Sequence, residues 1–292
     1  MLSNNVIQKN QMKLFTYMFI MTAIIGTLGY YVSSIFNWGL AGIGGFLIFA
    51  GILDFVAYFF SDTFVVKSTK AQPINEEAMP EYYALVREMC QRNNLKMPRL
   101  YIVNTDAMNA FATGRNKDRA LVAVTSGLLR RLSPNEISGV VAHELSHIEN
   151  YDMLIMSAIS ILAGFISILS NVFLRSSLMG RGSNRGNSGL LVIIGLALAI
   201  LAPLSAGLIK MAVSRSREYM ADAKGAKICG NPLYLASALE KIKGDSIPTD
   251  NASTATAHLY FSNPFKKKGF AELMSTHPNI DDRIKKLKEM SA

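Results

Sequence analysis

The chain has 292 residues, half of them apolar and only 17% charged, with a formal net charge of +9 and a mean hydropathy of +0.23. Soluble domains carry about 25% charged residues, so this composition excludes a disordered chain and points to lipid. Cys90 and Cys229 are the only cysteines, too few for a disulfide scaffold or a cysteine metal site.

No charged residue occurs between Leu14 and Leu53. A spanning helix needs about 20 apolar residues, so this stretch predicts a helical hairpin, Leu14–Val32 and Leu40–Phe60, interrupted at Asn37-Trp38-Gly39. The first apolar run is too long for a cleaved leader, and a second span follows it directly. Asp54 is the one acid inside these spans; near a helix end, it is expected to reach toward the interface. Two further charge-free runs predict spans at Met153–Leu174 and Ser188–Ile209. The chain thus divides into a membrane hairpin (1–60), a first soluble piece (61–152), a second hairpin (153–209) and a second soluble piece (210–292).

Lys9, Lys13, Lys67 and Lys70 flank the first hairpin on one side, and its connecting loop carries no basic residue. That asymmetry places both termini and the soluble pieces in the cytoplasm. Arg175, Arg181 and Arg185, between the third and fourth spans, oppose the rule. Either the first hairpin dominates or the second inserts atypically; an even number of spans favours the former. Basic flanks facing anionic lipid account for the net charge, and no nucleic-acid motif is visible. Both cysteines are then expected as free thiols, and Lys266-Lys267-Lys268 as a solvated loop.

The soluble pieces total about 175 residues, enough for one compact domain. Its expected elements are a helix over Pro80–Asn93, strands at Arg99–Val103 and Ala120–Thr125, and a weaker strand at Asn109–Thr113. Ser133, Pro134 and Glu136 form a capping signature, opening a helix that carries His143, Glu144 and His147.

These last residues form an HExxH pattern. Residues four apart share one helix face, so both imidazoles can reach one zinc ion at about 2.0–2.1 Å. Glu144 sits beside that position, where a carboxylate can take a proton from a water. A catalytic zinc then lacks one protein ligand. The candidates are His258, His277 or a carboxylate from another helix. Ser214–Ile228 reads as a helix with Glu218 and Asp222 on one face. Glu218 can complete a His2Glu set, and Asp222 can then accept the free ring N–H of a zinc histidine.

Four segments, AHELSH (142–147), SREYMAD (216–222), NAFATG (109–114) and STHPNIDDRI (275–284), resemble the HtpX-type membrane metallopeptidases, gluzincins related to the CAAX prenyl endopeptidases. The likeness covers nearly the whole chain, including two spans inserted between HExxH and the third ligand. It implies Glu218 as that ligand, one Zn2+ per chain, and endoproteolysis of membrane or unfolded polypeptides as quality control at a prokaryotic inner membrane. Under it His277 is expected to stabilise the oxyanion. Asn109 pairs with substrate main chain if its segment is an edge strand. Arg283 pairs with Glu144, Asp222 or another local acid, or serves structure alone. His258 is expected to pack a loop.

The expected fold is a mainly α membrane protein, with four transmembrane helices and one cytoplasmic α+β zincin-like catalytic domain built from two chain segments. An intramembrane protease fits poorly, because HExxH lies outside the apolar run. A transporter would need more intramembrane polar groups. A zinc-binding scaffold without activity and a CAAX-processing role are the remaining alternatives.

Overall fold

The computed structural model describes residues 2–162, 165, 215–250, 252, 256–264 and 278–291. Two helices open it, α1 (Leu2–Phe36) and α2 (Gly39–Phe59). The chain reverses between them through left-handed backbone at Asn37 and Gly39, with φ +55° and +58°. α1 begins well before the expected span, because the polar stretch from Ser3 to Lys13 contains neither glycine nor proline to break it. The helices pack closely: a Cβ on Gly29 would lie 2.5 Å from that of Phe46.

α2 is the one helix among the described residues long and apolar enough to cross a membrane; Met12–Thr27 is a shorter apolar stretch. Leu40, Ile48 and Ile52 on α2, and Phe15 and Phe19 on α1, are exposed. Asp54 departs from expectation. It turns inward, where Oδ2 accepts a 2.7 Å hydrogen bond from the Thr22 hydroxyl and Oδ1 is buried without a hydrogen-bond partner.

A short α3 (Ser61–Thr69) leads into the part of the chain that holds the sheet. Its sheet comprises β1 (Gln72–Pro73), β2 (Arg99–Val103), β3 (Ala110–Thr113) and β4 (Leu121–Thr125), in the order β1-β2-β4-β3. β2 and β4 are parallel, pairing Leu100 with Val122, and β3 is an antiparallel edge, pairing Phe111 with Ala123. The three longer strands lie within a residue of their expected places.

Around the sheet lie α4 (Pro80–Arg92), α5 (Ser126–Arg131), α6 (Pro134–Glu149), α7 (Asp152–Leu162), α8 (Arg215–Cys229), α9 (Pro232–Gly244) and α10 (Ile280–Glu289). The α6 start is a complete capping box between Ser133 and Glu136. Val140, Val141 and Leu145 of α6 join Leu235 and Leu239 of α9 and Val122 and Val124 of β4 in one core.

α7 begins the third expected span, and it is buried along its whole described length. It packs with Leu14, Tyr17 and Met21 of α1, Phe111 of β3, and Tyr260. Its Ser157 hydroxyl meets that of Thr113 at 2.6 Å. Protein therefore encloses these first three turns. The rest of that span, apart from residue 165, and the whole of the fourth lie outside the described residues.

Candidate metal centre

α6 and α8 cross at close quarters because Gly225 has no side chain: a Cβ there would sit 2.9 Å from the His143 nitrogen. This brings the histidine face of α6 against the acidic face of α8. His143 Nε2 and His147 Nε2 lie 3.2 Å apart. Glu218 places one oxygen 3.7 Å from the former and the other 3.6 Å from the latter. All three residues are buried.

Four-coordinate zinc, with donors at about 2.0–2.1 Å, holds those donors roughly 3.3 Å from one another. The observed separations match that spacing, and two imidazoles with a carboxylate are a zinc-type donor set. The residues fit the metal.

Each imidazole is held from behind. His143 Nδ1 lies 3.0 Å from Asp222 Oδ1. A carboxylate can only accept there, so the proton sits on Nδ1 and the Nε2 lone pair faces Glu218. Arg283 grips Asp222 with two hydrogen bonds, Nε to Oδ2 at 2.9 Å and Nη2 to Oδ1 at 2.7 Å. It lies over the Phe261 ring at 4.8 Å and comes within 3.9 Å of Glu218. Phe261 in turn meets the His143 ring edge-on at 5.0 Å.

On the other side, His147 Nδ1 lies 3.3 Å from Asp152 Oδ2, and Arg217 Nε lies 3.5 Å from Asp152 Oδ1. Sequence reasoning passed over Asp152, Arg217, Phe261 and Gly225. Only the charges of Asp152 and Arg217 beside the metal-bearing segments could have signalled any of them.

Burial is the largest single influence on His143, Glu144, His147 and Asp222, and neighbouring charges reverse it at two of them. It pulls His143 down to about 4, with Arg283 lowering it further and Asp222 opposing. Burial also acts downward on His147, but Asp152, Glu218 and Glu144 outweigh it and hold that imidazole up at about 9. Glu144 is pushed up to about 7 by burial, helped by the Glu218 charge. The Ala112 backbone in β3 and the Arg283 charge act the other way, lowering it. For Asp222, burial acts upward, but Arg283 and His143 overcome it and hold the group at about 2.

Among the residues singled out from sequence, His143, Glu144, His147, Glu218, Asp222 and Arg283 thus come together. Arg283 takes Asp222 as its partner. His277 lies outside the described residues. Asn109 is fully buried, and its amide is spent within the chain: Nδ2 donates to Thr249 Oγ1 and Ser262 O, while Oδ1 accepts from the Ala110 and Ser262 nitrogens. This leaves it no open group for a substrate. His258 stands apart from the metal cluster, with Nε2 2.9 Å from the Met156 carbonyl of α7.

A profile of Peptidase family M48 matches residues 78–291, the stretch that holds all six of these clustered residues. The chain belongs to peptidase family M48. Full-length relatives agree with this. The chain is 42% identical to a "Protease HtpX homolog" of Caldanaerobacter subterraneus subsp. tengcongensis over 284 residues, 94% of each protein. It is also 42% identical to a "Protease HtpX" of Legionella pneumophila over 285 residues, 96% of this chain and 99% of that one. The crystal structure of S. mikatae Ste24p superposes with a TM-score of 0.52 at 19% identity, covering 94% of this chain and 67% of that one. That likeness shows a shared fold. For a metallopeptidase, His143, His147 and Glu218 form a candidate metal site.

Proposed function

We propose that this M48 peptidase is a membrane-embedded zinc endopeptidase that cleaves misfolded or damaged membrane proteins at the cytoplasmic face. The convergence of His143, His147 and Glu218 on one point, with Glu144 on the next helical position, carries the reading. Held by these residues, a zinc ion would supply Lewis acidity for polarising a scissile carbonyl and acidifying a water.

The remaining chemistry belongs to the chain. Glu144, poised near neutrality, takes the proton of the attacking water and passes it to the leaving amine. Asp222 and Arg283 keep His143 in the tautomer that presents Nε2. His277 holds the oxyanion in this reading.

The membrane assignment rests on α2 and on the large apolar side chains that α1 and α2 turn outward, an uncovered apolar surface of the kind lipid covers. The hairpins at 1–60 and 153–209 carry the four spans, and the pieces 61–152 and 210–292 form the catalytic domain, with both termini cytoplasmic. His147 is only five residues from Asp152, where α7 begins, so a zinc at this site would lie close to the bilayer. Membrane-protein loops near the surface are then the substrates best placed to reach it.

The deciding experiment uses the full chain in detergent, wild type and Glu144→Gln, with bound zinc and cleavage of a loosely folded membrane protein both measured. Cleavage by wild type alone, with zinc in both, is expected. Zinc in both without cleavage by either favours a scaffold. Absence of zinc from both counts against the metal site.

A further inference from the structure

The two histidines are held by the same three-part arrangement. His143 is backed by Asp222, which is gripped by Arg283. His147 is backed by Asp152, which is flanked by Arg217. In the first set, Asp222 shares one face of α8 with Glu218, four residues before it, and Arg283 comes from α10. The second draws on a residue outside the HExxH helix: Asp152 folds back onto His147 because Tyr151, with φ +59°, turns the chain in a left-handed step. Asp152 is 1% exposed and Arg217 6%. A buried carboxylate needs such partners to offset the loss of hydration.

We infer that Asp152 is a positioning residue for the metal, orienting His147 and, through Arg217, holding the start of α8 in register beside it. This rests on the reading of His147 and Glu218 as ligands. The Asp152 carboxylate accepts the Nδ1–H of His147, which fixes the tautomer and points the Nε2 lone pair at the site. Arg217 immediately precedes Glu218. One carboxylate therefore ties the second ligand to the residue next to the third, although His147 and Glu218 lie 71 positions apart in sequence. Asp152 is also the first residue of α7, so the orientation of His147 is coupled to the placement of that helix.

Loss of a carboxylate behind a metal-bound histidine weakens metal binding by about 10–100-fold. The test is zinc affinity of the full chain in detergent, measured by competition with a chromophoric chelator. The proteins are wild type, Asp152→Ala, Asp152→Asn and His147→Ala. The zinc-stripped forms are melted in parallel, and cobalt-loaded forms report ligand geometry by their visible absorption.

Asp152→Ala should lose about 10–100-fold in zinc affinity and alter the cobalt spectrum. Asp152→Asn keeps an oxygen for the Nδ1–H but drops the charge, so its affinity should fall between the two. If Asp152→Ala does not fold, a clear loss in Asp152→Asn supports the inference and wild-type affinity overturns it. A merely structural Asp152 would lower the melting temperature of the stripped protein and leave zinc affinity untouched; that result overturns the inference. His147→Ala separates the two levels. If it loses zinc while both Asp152 variants bind like wild type, the positioning role is wrong. If it too binds like wild type, the ligand assignment is wrong, and with it the role built on that assignment.

Discussion

Gly225 of α8 lies against the backbone of His143 of α6, with room for a hydrogen and none for a methyl group. The closest atoms are main chain, 2.9 Å and 3.0 Å from where a Cβ would stand, and main chain inside a helix cannot rotate aside. The metal cluster depends on this contact, since α6 carries two of its members and α8 the third.

Gly225→Ala should therefore push the two helices apart. Overpacking of this kind costs about 1–3 kcal/mol, against which alanine's better helix propensity returns up to about 1 kcal/mol. The distinguishing readout is metal. Zinc affinity should fall, because Glu218 moves relative to both imidazoles. A variant that melts lower yet binds zinc as wild type does would show that the cluster tolerates the separation.

Arg283→Met should be among the most damaging single changes around the metal cluster. Arg283 is 2% exposed and faces two buried carboxylates, Asp222 by two hydrogen bonds and Glu218 at 3.9 Å. Removing one partner of a buried ion pair costs about 3–5 kcal/mol, because the other charge stays uncompensated. Lysine should rescue little, since it cannot form the paired hydrogen bonds of a guanidinium. Thermal unfolding of wild type, Arg283→Lys and Arg283→Met checks this; a methionine variant as stable as wild type would remove Arg283 from the account.

Local spacing made much of this centre readable. His143 and His147, and Glu218 and Asp222, each sit four residues apart on a capped or charge-marked helix, and helix geometry alone decides which faces they share. The strands at Arg99–Val103 and Ala120–Thr125 were equally plain, the edge strand at Asn109–Thr113 less so, and the two-residue β1 gave no signal. The unread parts depend on tertiary placement. Arg283 could have reached several acids, and only the packing of α10 selects Asp222. Asp152 reaches His147 only through the left-handed turn at Tyr151, which a tyrosine does not advertise. Asp54 finds Thr22 only because α1 and α2 pair in one register.

Asn109 is the residue whose surroundings differ most from what its sequence context suggests. An exposed edge strand would let its amide meet a substrate, but the amide is closed onto Thr249 and Ser262. Asn109→Ala should strand the Ser262 backbone N–H and carbonyl, at a cost of about 1–3 kcal/mol for each buried group left unsatisfied. It should also loosen Phe261, which packs on His143. A lower melting temperature together with weaker zinc binding is expected. A raised KM at unchanged stability would instead restore the substrate-binding role.

Glu136 makes the HExxH helix sensitive to acid far from the metal. Burial acts to raise its pKa, but hydrogen bonds from Lys241, Ser237 and Ser133 prevail and hold it at about 2. A folded-state value below the unfolded one means that the ionised form is favoured by folding. Its contribution is therefore complete above the ordinary carboxylate range, and is lost as pH falls from about 4.5 towards about 2. Glu136→Gln keeps a side chain able to cap α6 but drops the charge facing Lys241 on α9. At neutral pH the variant should melt lower than wild type, and the gap should close as the medium is acidified through that window. Acid also protonates metal-binding histidines, but this affects both proteins and cancels in their difference. A gap that stays constant across the window would mean that shape, and not charge, joins α6 to α9.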